Sequence, residues 1–461
     1  MPTPENLELF GHGHALYERM SIFQHRLEDA GVRDPAELLP VVLGATLLAT
    51  NLDDNERFWW DVFSGLLSIA LTQAGYPEPL RTTFLRLYQQ VLPLLGPRPF
   101  ATGEPQHFSP FGYDSTPIEI SHSYDGSRST IRFACDHYSP PGDTFAQTAT
   151  EATLKKIAQK FGLINADFEL FDAVAEKMWI NPANRDGITE KYFPRDPRQP
   201  CPAHLCSAFD LLQDGSFTIK AYATTLVKSL EVGKTKNEIA GELIRWLDQS
   251  VYRSTPMLPA YATIEDYSQS CPTHLQQHVW QFGWDCVAPQ DSRLKVYVYK
   301  EKTRLGTLRD MWTQGGRLTG PEIDKGLEVI NELWLAVCLA PQDMHEDDEL
   351  TNRHGMSQPV IMALEIRPGA PHPVPKLYFQ PARFGHTDLD IARNLAHWFE
   401  RRGWPLARTW VADTMQLLIH MDLSHSCSAH TFVSLSIKAD CQVAATMYLN
   451  PTVFAAIFHT T

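Results

Sequence analysis

The sequence predicts an α+β protein: a single ten-stranded antiparallel β-barrel ringed by α-helices. Three observations carry this. Alternating strand-like segments pair into five hairpins about short polar turns. Helical segments separate the hairpins, so the order helix, helix, strand, strand recurs about five times. The strands also carry cations and phenols on one face and Leu, Val and Ile on the other. The apolar face then belongs under the helices, and the polar face lines a hollow, ligand-holding centre.

The elements follow in order. Residues 1 to about 100 read as helical. Asn55-Glu56-Arg57-Phe58-Trp59-Trp60-Asp61-Val62-Phe63 continues to Leu66, Leu67 and Leu71 at helical spacing, with Asp53 or Asp54 as N-cap. A second amphipathic helix starts at Arg81 and stops before Pro93. The hairpins are 116–124 with 128–137, 204–212 with 216–224, 283–288 with 293–300, 360–366 with 375–380, and 431–437 with 442–449. Four turn at Asp125-Gly126, Asp214-Gly215, Pro368-Gly369 and Ala439-Asp440. Helices are expected over 144–161, 167–179, 236–252, 307–312, 320–338, 388–402 and 410–422. The stretch 194–202 is the nearest thing to a linker and is too short to divide the chain. The expectation is one domain over 1–461, with 1–110 largely helical and 111–461 forming the barrel repeats.

Bulk properties exclude several classes. A net charge of −14 argues against nucleic acid and anionic membranes as partners, and it makes any positive site a local construction. The longest apolar stretch, 38–52, contains Pro40 and Gly44 and is too short for a bilayer. The N-terminal segment has no apolar signal core, and the eight cysteines are scattered. A cytoplasmic protein with reduced thiols is expected.

The chemistry lies in the polar strand faces. Arg293-Leu294-Lys295-Val296-Tyr297-Val298-Tyr299 sets two cations and two phenols against Leu, Val and Val. Arg132, Lys220 and Lys376 sit on equivalent strands, with Tyr222, Tyr378 and Tyr448 nearby. One basic strand is ordinarily a solvated edge; four sharing the pattern point to one anion. A diphosphate carries roughly three negative charges, and these cations neutralise it without a metal. Glu119, between Ile118 and Ile120, is a candidate general base; a structural salt bridge to Arg132 or a lysine is the other reading. Asp53-Asp54-Asn55-Glu56 and Glu346-Asp347-Asp348-Glu349 lack the DDxxD spacing that holds magnesium against diphosphate, and read as a helix start and a loop. Cys201, His204 and Cys206 lack a second half-site for zinc. No metal site and no cofactor are expected.

At these residues the chain resembles the fungal aromatic prenyltransferases of the dimethylallyltryptophan synthase family. The similarity rests on FWW at 58–60, AGYP at 74–77, LGPRP at 95–99, PIEIS around Glu119, KAY at 220–222, SRLKVY at 292–297, WTQGG at 312–316 and KLYF at 376–379. It implies the ABBA barrel, metal-independent transfer of a dimethylallyl group from dimethylallyl diphosphate, and an aromatic acceptor, often an indole. Carried over by motif, Glu119 matches the catalytic glutamate. Arg132, Lys220, Tyr222, Arg293, Lys295, Tyr297, Tyr378 and Tyr448 match diphosphate-binding or shielding positions. Three departures stand out. Lys376 replaces a common Gln and adds charge, Phe432 and Ile437 lie where Tyr is common, and Trp280 lies near where enzymes acting on free tryptophan carry an Arg. These favour an indole in a carboxylate-free frame, such as a tryptophan-containing cyclic dipeptide, with Ile118, Ala134 and Trp280 lining the acceptor pocket. The alternatives are a phenolic or polyketide acceptor, and a non-catalytic barrel that binds isoprenoid or phosphate ligands.

Overall fold

The computed structural model describes residues 48, 51–100, 103–107, 109, 111–139, 143–192, 204–351, 358–418 and 421–454. The candidate linker 194–202, Cys201 and most of 38–52 lie outside the described residues. Ten strands close a barrel in which each pairs antiparallel with its sequence neighbours and the last returns to the first. They are β1 (Ile118–Tyr124), β2 (Ser129–Asp136), β3 (Leu205–Leu211), β4 (Phe217–Thr224), β5 (His278–Asp285), β6 (Leu294–Lys300), β7 (Val360–Ile366), β8 (Val374–Phe379), β9 (His430–Ile437) and β10 (Val443–Leu449). Closure leaves no free sheet edge.

The turns follow their chemistry. Asp125 Oδ1 accepts from the backbone N–H of Ser127 and Arg128 at 3.0 and 2.8 Å, and Gly126 adopts φ +91° beside it. Asp214 and Gly215 repeat the device at the second hairpin. Positive φ at these positions favours glycine, and the Asx turn supplies the lost ladder bonds.

Twelve described helices surround the barrel: α1 (Asp54–Gln73), α2 (Glu78–Val91), α3 (Gln147–Lys160), α4 (Glu169–Met178), α5 (Arg185–Tyr192), α6 (Thr225–Val232), α7 (Lys236–Ser250), α8 (Leu258–Ser270), α9 (Leu305–Thr313), α10 (Pro321–Ala336), α11 (Asp388–Arg401) and α12 (Trp410–Leu417). Asp53 caps α1 in a capping box with Glu56, as the sequence indicates. The second and third repeats carry three helices rather than two, because α5, α6 and α8 escape the periodicity reading. Two of these, α5 and α6, are only eight residues long, and α8 mixes polar and apolar residues around its circumference.

The hydrophobic core is a shell. Ile118, Ile120, Ile131, Phe133, Phe209, Val296, Leu364, Leu377, Leu435 and Met447 point outward and pack beneath helix residues such as Trp59, Trp60, Leu243, Trp312 and Trp398. A second, separate cluster lies inside: Tyr297, Ile361, Ala363, Tyr378 and Tyr448, with Tyr222, Trp280, Tyr299 and Phe432 packed against it. Strand alternation separates the two.

Two expectations need correction. The first strand of the third hairpin is His278–Asp285, not 283–288. A bulge between Val279 and Gln281 hides its start, while Ala288 accepts from the N–H of Asp291 and Ser292 and turns the apolar stretch after Asp285 into a loop. Ile118 does not face the lumen. As the neighbour of inward-facing Glu119 it is fully buried in the outer shell, and Ile437 lies there too.

Candidate active site

Alternation brings every other predicted site residue to the inner wall. Arg132, Lys220, Arg293, Lys295 and Lys376 come from four strands or their ends and share one lumen. They do not stand alone. Arg132 pairs with Asp210, and Lys220 reaches Asp210 at 3.2 Å and also bonds Asp285. Arg293 donates to Asp285 at 2.9 Å and to Glu365 at 3.0 Å. Three carboxylates thus interleave with the cations, and the register sets Arg132 opposite Asp210, Lys220 opposite Asp285 and Lys295 opposite Glu365. Sequence reasoning missed all three acids. Each occupies an inward position of its strand, so alternation gives their face, but not the cations across from them.

Burial alone would raise the Asp210 and Asp285 carboxyls. Arg132 and Lys220 hold the first, and Lys220 and Arg293 the second, far below the usual carboxylate range. Lys295 and Lys376 are different. Among the described residues neither has a carboxylate within ion-pair distance. Burial first, then the like charges of Arg293 and Lys220, drive the Lys295 ammonium well below its ordinary pKa. Burial likewise lowers Lys376. Five cations against three carboxylates leave a formal surplus of positive charge, concentrated on these two lysines.

Above the cations runs an aromatic belt. Tyr222 meets Tyr297 at 6.1 Å between ring centroids, Tyr297 meets Tyr378 at 5.7 Å, and Tyr378 meets Tyr448 at 5.9 Å and Phe432 at 5.9 Å. Trp280 joins through Tyr297 at 6.5 Å. The bulge in β5 aims Trp280 inward. Thr225 pins it by donating to the carbonyls of Val279 and Trp280 at 2.9 and 3.0 Å, and Asn237 accepts from Val279 N–H at 2.8 Å. Burial works to raise the Tyr448 phenol, yet Lys376 and Arg132 pull it below its ordinary value.

Glu119 stands toward the other end of the lumen, directly across the strand pair from Ala134, whose small side chain leaves space. It is 6% exposed. Its bonding partner is the Thr431 hydroxyl, and no cation lies within ion-pair distance of it among the described residues. Burial pushes its carboxyl up to about 7, with the Thr431 bond and Arg132 working against that rise. The alternative of a structural salt bridge therefore fails. Thr431 reaches Glu119 because the β9–β10 register shifts at Tyr448/Leu449. Asp388, at the start of α11, anchors that edge by accepting from His430 N–H and Nδ1–H at 2.9 and 2.8 Å and from Ala429 N–H at 3.1 Å.

The seven described cysteines are free. No group of three His, Cys, Asp or Glu side chains among the described residues is arranged to hold a metal ion. No described helix is long and apolar enough to cross a membrane.

A lumen that presents a cationic floor, a phenolic wall and one high-pKa carboxylate can bind a small polyanion, shield a carbocation and accept a proton. Comparison with known proteins gives the family and the fold. A family model described as tryptophan dimethylallyltransferase matches residues 55–413. The 7-dimethylallyltryptophan synthase hasE of Aspergillus fumigatus is 29% identical over 441 residues, covering 91% of this chain and 90% of the relative. The indole diterpene prenyltransferase atmD of Aspergillus flavus is 29% identical, covering 86% and 90%. Among solved structures, AnaPT from Neosartorya fischeri superposes with a TM-score of 0.73 at 24% identity over 89% of this chain and 97% of its own. NotF in complex with brevianamide F and DMSPP gives 0.74 at 24% identity over 89% and 98%.

Proposed function

We propose that this chain, which belongs to the tryptophan dimethylallyltransferase family, transfers a dimethylallyl group from dimethylallyl diphosphate to an indole, without a metal. A tryptophan-containing cyclic dipeptide is the favoured acceptor. The observation that carries the reading is the division of one closed lumen. Surplus cations gather on one side of the aromatic belt, and a carboxylate with no cationic partner stands on the other.

The diphosphate settles against Lys295 and Lys376, which have no carboxylate within ion-pair distance among the described residues, and against Arg132, Lys220 and Arg293. As the C–O bond breaks, its electron pair leaves with the diphosphate, and these cations stabilise the growing charge. The allyl cation is left among the faces of Tyr222, Tyr297, Tyr378 and Tyr448, which shield it from water. The indole lies over that belt with its N–H toward Glu119. A ring carbon donates its π pair, a C–C bond forms, and the arenium ion loses a proton to Glu119. A carboxyl held near 7 exists as base in useful amounts at neutral pH, whereas an ordinary glutamate would be a weaker acceptor. A purely ligand-carrying barrel has no use for a buried carboxylate there.

The test is diphosphate release from dimethylallyl diphosphate across a panel of indoles and phenols in the presence of EDTA. Release that depends on an indole and survives EDTA is the expected result. Strict dependence on magnesium, or release with phenols alone, would overturn the proposal.

A further inference from the structure

The aromatic belt is open at one place. Each even-numbered strand brings into it the inward residue two positions past its lumen cation or, on β10, past Thr446. On β4, β6, β8 and β10 these residues are Tyr222, Tyr297, Tyr378 and Tyr448, and each ring meets the next. On β2 the corresponding residue, two past Arg132, is Ala134. Where the other strands set a phenol, β2 sets a methyl group, so the ring of phenols is broken between Tyr448 and Tyr222.

The gap has defined sides. Glu119 on β1 stands directly opposite Ala134. On the other flank is β3, where Cys206 pairs with Asp136 of β2 and with Tyr222 of β4. That register turns the Cys206 thiol inward, diagonal to Ala134. Arg132 lies on the cation side of the gap. Asp136 closes the side toward the mouth: it is 2% exposed and accepts from the Ser109 hydroxyl at 2.6 Å and from His137 N–H at 2.9 Å. Ala134 and Cys206 are partly exposed, while their outward neighbours Phe133, Cys135, Leu205 and Ser207 are buried. An inward residue of a closed barrel is exposed to the space inside it, so the gap is open to the lumen. Burial first, and then the charges of Asp136, Cys135 and Glu119, push the Cys206 thiol well above its ordinary pKa. It therefore meets a ligand as a neutral, weakly polar group.

We propose that Cys206 determines acceptor specificity: the acceptor's own aromatic ring fills the gap at Ala134 and completes the belt, and Cys206, on the flank across from Glu119, sets how far that ring enters. The inference rests on the prenyl-transfer reading above and specifies how the acceptor is held. Glu119 takes the indole N–H, so the opposite edge of the ring points to Cys206. The ring then meets the allyl cation at the level of the four phenols, and its depth decides which ring carbon is nearest. A larger side chain at position 206 shortens the slot, and a smaller one deepens it.

The experiment compares wild type with Cys206→Met and Cys206→Ala on a tryptophan-containing cyclic dipeptide and on 3-methylindole, with the alkylated positions resolved. Cys206→Met is expected to lose about 10- to 100-fold in kcat/KM on the cyclic dipeptide and less on 3-methylindole. Cys206→Ala is expected to change the ratio of alkylated positions. The KM for dimethylallyl diphosphate is expected to hold in both. Equal losses on the two acceptors, an unchanged ratio in Cys206→Ala, or a raised KM for dimethylallyl diphosphate would each overturn the inference. A second measurement needs no variant. Methyl methanethiosulfonate should modify Cys206 in protein loaded with the inert thiolodiphosphate, and adding the cyclic dipeptide should abolish that modification, with peptide masses separating Cys206 from the other cysteines. No modification without the acceptor, or no protection by it, would also overturn the inference. Protection of Cys206 in a protein that alkylates no indole sustains this inference and ends the reading of prenyl transfer.

Discussion

Glu119 can take a proton only after losing its own. With the carboxyl held near 7 by burial, kcat/KM for the acceptor at saturating dimethylallyl diphosphate is expected to rise with pH through an inflection near 7 and then level off. Glu119→Gln should keep the fold and lose on the order of 10²- to 10⁴-fold in turnover; a variant with full activity would remove Glu119 from the mechanism. The same shift has a stability consequence. A pKa raised above the ordinary 4.5 means that the native state prefers the neutral form. The favourable contribution is complete below about 4.5 and is lost as pH rises through 7. Glu119→Gln should therefore be more stable than wild type at pH 8, by about 1–3 kcal/mol in denaturant titrations. The two lysines without carboxylates behave in the opposite sense. Burial works against their charged forms, and a bound diphosphate favours them. Affinity for dimethylallyl diphosphate, read by calorimetry, should therefore weaken toward alkaline pH. Lys376→Gln should raise the KM for dimethylallyl diphosphate about 10- to 100-fold. The cations and phenols of this site were legible because they repeat on alternating strands. Asp210, Asp285 and Glu365 were not, since an isolated acid on a strand says nothing of its cross-strand neighbour.

Strands place the site, and their irregularities refine it. The bulges in β5 and β9 aim Trp280 and Thr431 inward, and neither departs from ordinary composition, so the sequence reading began the first of these strands only at 283. Gly283 on β5 shows how tightly an element can constrain the belt. A Cβ there would lie 2.6 Å from Tyr222 Cδ1 and Cε1, closer than real contacts allow. Gly283→Ala is expected to rotate Tyr222 away from Tyr297 and cut turnover about tenfold, with a small change in melting temperature. The change should appear in kcat more than in the acceptor KM. An unaltered kcat would mean that Tyr222 does not shield the reacting carbon.

Across the whole molecule, stability and function occupy different layers. The outer shell between barrel and helices holds the fold, while the inner layer is left polar and strained in charge. Trp59 belongs to the first: it is fully buried, and its indole N–H donates to Gly96 carbonyl at 2.9 Å. Trp59→Ala is expected to cost about 3–5 kcal/mol in unfolding free energy, while the folded fraction keeps the wild-type KM for both substrates. The sequence by itself determined the class of fold, the number of strands, the inward face of each and the cationic and phenolic character of that face. Local periodicity and turn chemistry suffice for these. The tertiary structure decided which carboxylates oppose which cations and that Glu119 answers to Thr431 rather than to a lysine. Each of these joins residues tens to hundreds of positions apart, and register and closure, which no local pattern encodes, set such distances.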